Sequence, residues 1–358
     1  MRILIVSHHA LPHIGGPEIL VDREIRALAE AGHEVVLVTS DLGGSGHTPV
    51  YPPTVRVVRV PAWHFMELRL NLPFPLFGPR LLGVLWREVG RCDVLHAHGF
   101  LFMNSALSLA VAWLRGRERI LTDHGGIQTY HSRLATVVAR LGVETVGRMS
   151  ARLATKLVSF NTRVTTLLER LAGTRAKTLF LPNPVDRDLF RPAAPAERRA
   201  LRERLGWEEG RPKVLFVGRL VPDKGVLLLL QAVDPAYDIA FCGPGDPAIL
   251  GALPRPGVEY LPPRPQAEVA ELYRAADLFV LPSYREGFPL VVQEALASGL
   301  PVILSDDEGY GPYRGLPGLS FCPLDPAAIR RAILAGLGSG RPGPGGDGSN
   351  ALDELAPS

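Results

Sequence analysis

Glu286 and Glu294 stand eight positions apart around the run Gly287-Phe288-Pro289-Leu290, where an apolar run ending near Leu281 gives way to a loop and then a helical pattern. Proline is well tolerated in the first turn of a helix, so Pro289 marks the helix start. The free amides there, around Leu290, form an anion site suited to a phosphate. Glu294, a turn further along, can accept hydrogen bonds from ribose hydroxyls. Two unrelated glutamates, one in a loop and one on an exposed helix face, would give the same spacing; the strand-loop-helix context argues against that.

Upstream, the apolar run 214–217 ends in Gly218-Arg219-Leu220-Val221-Pro222-Asp223-Lys224-Gly225. Arg219 and Lys224 can converge on a diphosphate, the guanidinium as a planar fork and the ammonium as a compact charge. An ordinary solvated basic loop fits the same segment equally well. In the first half, Gly15-Gly16 precede Pro17-Glu18 where a helix begins, and their lack of Cβ atoms would let the backbone approach a phosphate or sugar. A tight turn of any open α/β domain is the plainer account of that pair alone. His96 and His98 alternate at the end of one strand and so share a face, while His124 follows the next strand in Thr122-Asp123-His124-Gly125-Gly126. Neither their spacing nor their company suggests zinc. A single such histidine is ordinarily structural, but several at adjacent strand ends favour a shared cleft.

The elements that must position these residues follow from periodicity. Short Val-, Ile- and Leu-rich runs at 3–6, 35–39, 94–97 and 120–122 alternate with helical stretches, and the pattern repeats at 214–217, 238–242, 278–281 and 302–304. This is the grammar of parallel sheets covered on both faces. The helix expected over 18–31 carries Ile19, Leu20, Ile25 and Leu28 and stops at Gly32. Leu181-Pro182-Asn183-Pro184-Val185-Asp186 and the Pro- and Ala-rich 190–196 read as a hinge, followed by a charged helix over 197–205. The expected domains are 1–186 and 187–337. Asp325-Pro326 should start the last ordered helix, and the Gly- and Pro-rich 338–358 should form a disordered tail.

At 358 residues the chain exceeds what one core usually organises. With 46% hydrophobic and 21% charged residues it is an ordinary globular sequence, and a net charge of +3 without basic blocks gives no nucleic-acid footprint. Cys92, Cys242 and Cys322 are scattered among apolar neighbours, which fits buried thiols of the cytoplasm rather than disulfides or a metal site. The opening apolar run is too short for a secretory core, and 101–114 falls short of the roughly 20 residues that span a bilayer. The apolar and basic region 63–91 reads as a loop and helix covering the sheet, with contact to a membrane surface as the alternative.

Taken together, Gly15-Gly16-x-Glu18, His96/His98, Thr122-x-His124-Gly125, Pro182-Asn183-x-Val185-Asp186, Gly218-Arg219 with Lys224-Gly225, Gly243-x-Gly245, and Glu286 with Glu294 closely resemble glycosyltransferase family 4 over about residues 1 to 337. The resemblance implies the GT-B architecture: two Rossmann-like doubly wound α/β domains facing across a cleft, with the acceptor mainly in the first and the donor mainly in the second. It assigns Arg219 and Lys224 to the donor diphosphate, Glu286 to the transferred sugar and Glu294 to the ribose. Gly16 approaches the phosphate from the opposite domain, and His98 lies near the reacting sugar. Gly218, Gly243, Gly287, Phe288, Pro289 and Leu290 complete the donor side, and Gly15, Glu18 and His124 lie on the acceptor side.

The implied activity is transfer of a hexosyl group from a UDP- or GDP-hexose to a glycan, lipid or small-molecule acceptor, in cell-envelope or polysaccharide biosynthesis. The anomeric configuration should be retained through front-face attack, with the departing phosphate helping to accept the proton. No cofactor is expected. No Asp-x-Asp motif of metal-dependent sugar transferases is placed where it would serve, so cations and helix-start amides would carry the leaving group's charge. The segment 305–313 departs from the family's commoner small, Gly-rich loop, and the family's last helices are missing after Leu337. Two alternatives are a nucleotide-sugar 2-epimerase of similar plan and a non-catalytic nucleotide-sugar-binding protein.

Overall fold

The computed structural model describes residues 1–13, 15–42, 49–65, 74–124, 133–160, 162–180, 185–251, 254–284 and 289–339. The chain divides into two compact units, Met1–Leu181 and Pro182–Ser358.

In the first unit the strands are β1 (Arg2–Val6), β2 (Glu34–Ser40), β3 (Val55–Val60), the short β4 (Ala62–Trp63) and β5 (Leu76–Phe77), β6 (Val94–His98), β7 (Glu118–Asp123), β8 (Lys156–Ser159) and β9 (Thr178–Phe180). The helices are α1 (Gly16–Glu30), α2 (Arg80–Arg91), α3 (Met103–Leu114), α4 (Arg133–Gly142), α5 (Arg148–Leu153) and α6 (Thr162–Ala172). Seven strands form one sheet in the order β3-β2-β1-β6-β7-β8-β9, every pair parallel.

Strand alternation explains why this sheet is covered twice. Leu4 and Val6 of β1 join the core built with α2, α3, α5 and α6, whereas Ile3 and Ile5 join the core built with Val21 and Ile25 of α1. Burying such a side chain contributes about 1.5–3 kcal/mol, so a one-residue slip that exchanged the two faces would be strongly opposed.

In the second unit the strands are β10 (Lys213–Val217), β11 (Asp238–Cys242), β12 (Val258–Leu261), β13 (Leu278–Leu281), β14 (Val302–Ser305) and β15 (Leu319–Cys322). The helices are α7 (Pro195–Leu205), α8 (Val226–Gln231), α9 (Gln266–Ala275), α10 (Leu290–Ala297) and α11 (Pro326–Gly338). The sheet order is β12-β11-β10-β13-β14-β15, again all parallel. Two Rossmann-like α/β units are therefore present. α11 begins as its sequence demands: the Asp325 carboxylate accepts from the Ala328 amide at 2.8 Å and Pro326 occupies the first turn.

The amino edge of the second sheet is held by ion pairs. Arg202 of α7 is buried and donates to the carbonyls of Ala275, Glu208 and Arg211 and, at 3.0 Å, to Asp277, which also accepts from the Lys213 amide. Trp207 is buried beside Lys213, and its indole donates to Glu259 at 2.9 Å. All three cysteines are free thiols, buried, with burial pushing each up to about 11. Among the described residues no helix is long and apolar enough to cross a membrane.

Candidate active site

Open parallel sheets bind ligands beyond the carboxyl ends of their strands, where the strand order reverses. In the first unit that point lies between β1 and β6, and in the second between β10 and β13.

The carboxyl edge of the first sheet is lined with imidazoles. β1 runs into Ser7-His8-His9, β6 ends at His98, and His124 follows β7. The local backbone is tied down: Asn104 donates to the Ser7 carbonyl at 2.8 Å, Ser105 to the His98 carbonyl at 2.8 Å, and the Gly99 amide to Thr122 at 2.7 Å. His8 stacks on Phe102 with ring centroids 3.6 Å apart, and His9 meets the Ser40 hydroxyl at 2.9 Å.

His96 and His98 do share a face, and Glu24 of α1 joins them. Its carboxylate lies 2.5 Å from His96 Nδ1 and 3.2 Å from His98 Nε2. His96 Nε2 meets the Thr122 hydroxyl at 2.6 Å, and His98 Nδ1 lies 3.0 Å from His124 Nε2 with the two rings stacked. Burial, and then the neighbouring His96, lower the basicity of His98, and burial with His98 beside it lowers His124 further. Burial pushes the Glu24 carboxyl up, but the His96 and His98 rings and their hydrogen bonds overturn this and hold it well below the usual carboxylate range. The potential ligand atoms of Glu24, His96 and His98 all lie within 4.8 Å of one another. The histidines thus have the company that their sequence neighbourhood lacks.

At the start of α1, a Cβ on Gly15 would fall 2.2 Å from the Glu18 carboxylate, while a Cβ on Gly16 would meet nothing within 4 Å. Glu18 is buried, folds back over the helix start and pairs with His13 at 3.1 Å. Gly15 is therefore filled by its own helix, and the open face belongs to Gly16. The helix begins two residues before the expected 18 because Pro17 is compatible with its first turn.

The carboxyl edge of the second sheet is built by backbone approach. Gly218 donates to Cys242 at 2.9 Å and Leu220 to Pro244 at 2.8 Å, which joins the loops after β10 and β11. A Cβ on Gly243, whose φ is +145°, would fall 2.1 Å from the Gly218 carbonyl oxygen. A Cβ on Gly225, with φ +72°, would fall 2.0 Å from that of Pro282, and the Tyr284 amide donates to Asp223 at 3.0 Å. The Arg219/Lys224 loop is thereby brought against the segment that follows β13. Arg219 is exposed and Lys224 half-buried. After Pro289, α10 starts with Leu290, and Glu294 is buried on it. Glu286, Gly287 and Phe288 lie outside the described residues.

The segment after β14 differs from a small, Gly-rich loop. Asp307 accepts from the Gly309 amide at 2.7 Å and starts a 3₁₀ turn over Glu308–Tyr313 in which Tyr310 and Tyr313 are buried.

Residues 14–189 match the family model described as Glycosyltransferase Family 4, and residues 197–314 match Glycosyl transferases group 1. A D-inositol 3-phosphate glycosyltransferase of Nocardia farcinica is 31% identical, covering 86% of this chain and 75% of the relative. The chain belongs to glycosyltransferase family 4. A GDP-mannose-dependent alpha-mannosyltransferase of Mycolicibacterium smegmatis is 30% identical over 86% of this chain and 80% of its own length. Among solved structures, Anabaena Alr3699/HepE in complex with UDP aligns with a TM-score of 0.76 at 19% identity, covering 99% of this chain and 94% of that one. Sucrose-phosphate synthase from Thermosynechococcus elongatus aligns at 0.73 and 24%, with the same coverages. These neighbours support the GT-B fold.

For this family-4 glycosyltransferase, the structure gathers His98 and His124 at one edge and Gly218, Gly243 and the Lys224 loop at the other. Glu24, His8, His9 and His13 are the site-edge residues that the motifs did not single out. Glu24 had a signal: it falls on the stripe Val21, Ile25, Leu28 of α1, where a carboxylate interrupts an apolar face.

Proposed function

We propose that this chain transfers a hexosyl group from a UDP- or GDP-hexose to a glycan, lipid or small-molecule acceptor, with retention at the anomeric carbon and without a metal ion. The acceptor side is assigned to 1–186 and the donor side to 187–337. The observation that carries this reading is the junction of the loops after β10, β11 and β13 at the strand-order reversal of the second sheet. Arg219 and Lys224 supply cations there, and α10 supplies helix-start amides, so a diphosphate leaving group could be stabilised without Lewis acid help. Glu294 is assigned to the ribose and Glu286 to the sugar. Gly16, where an added Cβ would meet nothing within 4 Å, is assigned to the phosphate, and His98 to the reacting sugar.

Both nucleotides have support among the neighbours: the M. smegmatis relative is named for GDP-mannose, and Alr3699/HepE binds UDP and UDP-glucose. A role in cell-envelope or polysaccharide synthesis, on the cytoplasmic side, goes with such donors. Exposed Leu82, Trp86, Trp113 and Leu114, with Arg115 over the Trp86 ring, offer a face for peripheral membrane contact.

The test is a panel of nucleotide sugars followed by thermal shift, since a ligand of the native state raises the melting temperature by mass action. One donor should stabilise the protein, and sugar transfer from it should survive excess EDTA. Complete loss restored only by manganese or magnesium would remove metal independence. Conversion of the donor to an epimer without acceptor would replace the transferase assignment.

A further inference from the structure

Proton bookkeeping across the imidazole edge leads from Glu24 to a nitrogen that has no partner. An ionised carboxylate only accepts hydrogen bonds, so the two ring nitrogens facing Glu24, His96 Nδ1 and His98 Nε2, must each carry a hydrogen. The His98 contact is the longer and less well aligned of the two. A neutral His98 with its hydrogen on Nε2 has a bare Nδ1, and that atom lies 3.0 Å from His124 Nε2. His124 must then carry its own hydrogen on Nε2. Its Nδ1 is left bare, shut off from solvent and without a hydrogen-bond partner among the described residues. Neutrality of both rings agrees with the lowering that burial imposes on each.

We infer that Glu24 is a positioning residue: through His98 it fixes both His98 and His124 in the Nε2–H tautomer, so that the imidazole edge keeps a bare acceptor nitrogen, His124 Nδ1, in its interior. Glu24 itself touches no substrate in this scheme. A metal ion is the other arrangement that a carboxylate and two imidazoles can serve, and the distances disfavour it. Ligands about 2.0–2.1 Å from a tetrahedral zinc stand well apart from one another. Glu24 and His96 Nδ1 are 2.5 Å apart, a hydrogen-bond separation that leaves no room for an ion between them. His96 is braced from behind by Thr122 and His98 by His124, so the three rings are held whether or not a substrate is present.

The catalytic part of this inference rests on the transferase reading given above; the tautomer part does not. Histidine-selective ¹⁵N labelling and two-bond ¹⁵N–¹H correlation spectra read the tautomers directly. His98 and His124 should both be Nε2–H in the unaltered chain. In Glu24→Gln the amide must donate to one ring, so either His96 or His98 should take the opposite tautomer, and His124 should follow where the ring is His98. Glu24→Leu should leave both rings as tautomer mixtures, and melting temperatures show which variants remain folded. Nucleotide release from UDP-glucose and from GDP-mannose should fall in kcat by about tenfold or more in Glu24→Gln, with KM changed less than about twofold. Unchanged tautomers in Glu24→Gln would overturn the inference. So would zinc bound one per chain and lost in that variant. Shifted tautomers with unchanged kcat would remove the catalytic role while sparing the transferase reading. If neither donor turns over in the unaltered chain, that reading fails and the spectra alone judge the tautomer assignment.

Discussion

At the carboxyl edge of the first sheet the candidate surface consists of side chains, mostly neutral imidazoles braced by Glu24, Thr122 and Ser40. At the same edge of the second sheet it consists of backbone, with glycines pressed against carbonyls and two cations carried on the loop. All ten histidines of the chain precede residue 132, and the second unit has none. Two sheets of one topology class thus offer opposite surroundings: one edge suited to hydroxyls through hydrogen-bond acceptors, the other suited to anions through positive charge and amides.

The contrast breaks most sharply at Gly225. An alanine there meets both a left-handed φ and the Pro282 carbonyl, so Gly225→Ala should cost about 3 kcal/mol, read as a fall in the urea midpoint. A wild-type midpoint would show that the loops after β10 and β13 do not need this close approach.

If Lys224 holds the donor as proposed, Lys224→Ala should leave folding unaffected and remove one charge-assisted contact to the diphosphate, worth roughly 1.5–3 kcal/mol. At about 1.4 kcal/mol per tenfold, kcat/KM should fall about 10- to 150-fold. An unchanged value would place the donor elsewhere.

Acid should separate the two units. Burial, and then the charge of His13, hold His9 at about 4, against about 6.5 when unfolded. As pH falls below 6.5 the unfolded chain takes up the proton first, so the folded state loses stability; His9 alone accounts for about 2 kcal/mol by pH 5. His8, His98 and His124 shift in the same direction. Hydrogen exchange, corrected for intrinsic rates, should show β1 and β6 losing protection between pH 7 and 5 before β10 and β13 do. Equal loss in both units would mean that the imidazoles do not govern acid sensitivity.

The smallest effect is expected at Gly16. Its added Cβ would face open space, so Gly16→Ala should change stability by no more than about 0.5 kcal/mol while weakening whatever ligand uses that face. A large loss of stability would mean that Gly16, like Gly15, is packed.

The central strands were legible because parallel strands covered on both faces are nearly continuous apolar runs: each of the eight runs found in the sequence is a strand. The strands missed lie toward the sheet edges. β3 is interrupted by Arg56 and Arg59, and β12 and β15 are only partly buried, so a search for apolar runs passes over them. At the site, alternation put His96 and His98 on one face, and strand order brought His124 beside them. Glu24 could not be read as their partner, because the contact spans 72 positions and depends on how α1 crosses the sheet. Glu18 was visible, but its return over Gly15 was not, since it depends on a partly buried pairing with His13.

The indole of Trp207 turns this asymmetry into an optical one. It is the only tryptophan of the second unit and is 4% exposed, whereas Trp63, Trp86 and Trp113 of the first unit are 74%, 53% and 57% exposed. Emission from the first unit should therefore lie to the red and be quenched readily by acrylamide. Emission from Trp207 should lie to the blue and resist quenching until α7 separates from the sheet. One native fluorophore thus reports on the second unit without any label.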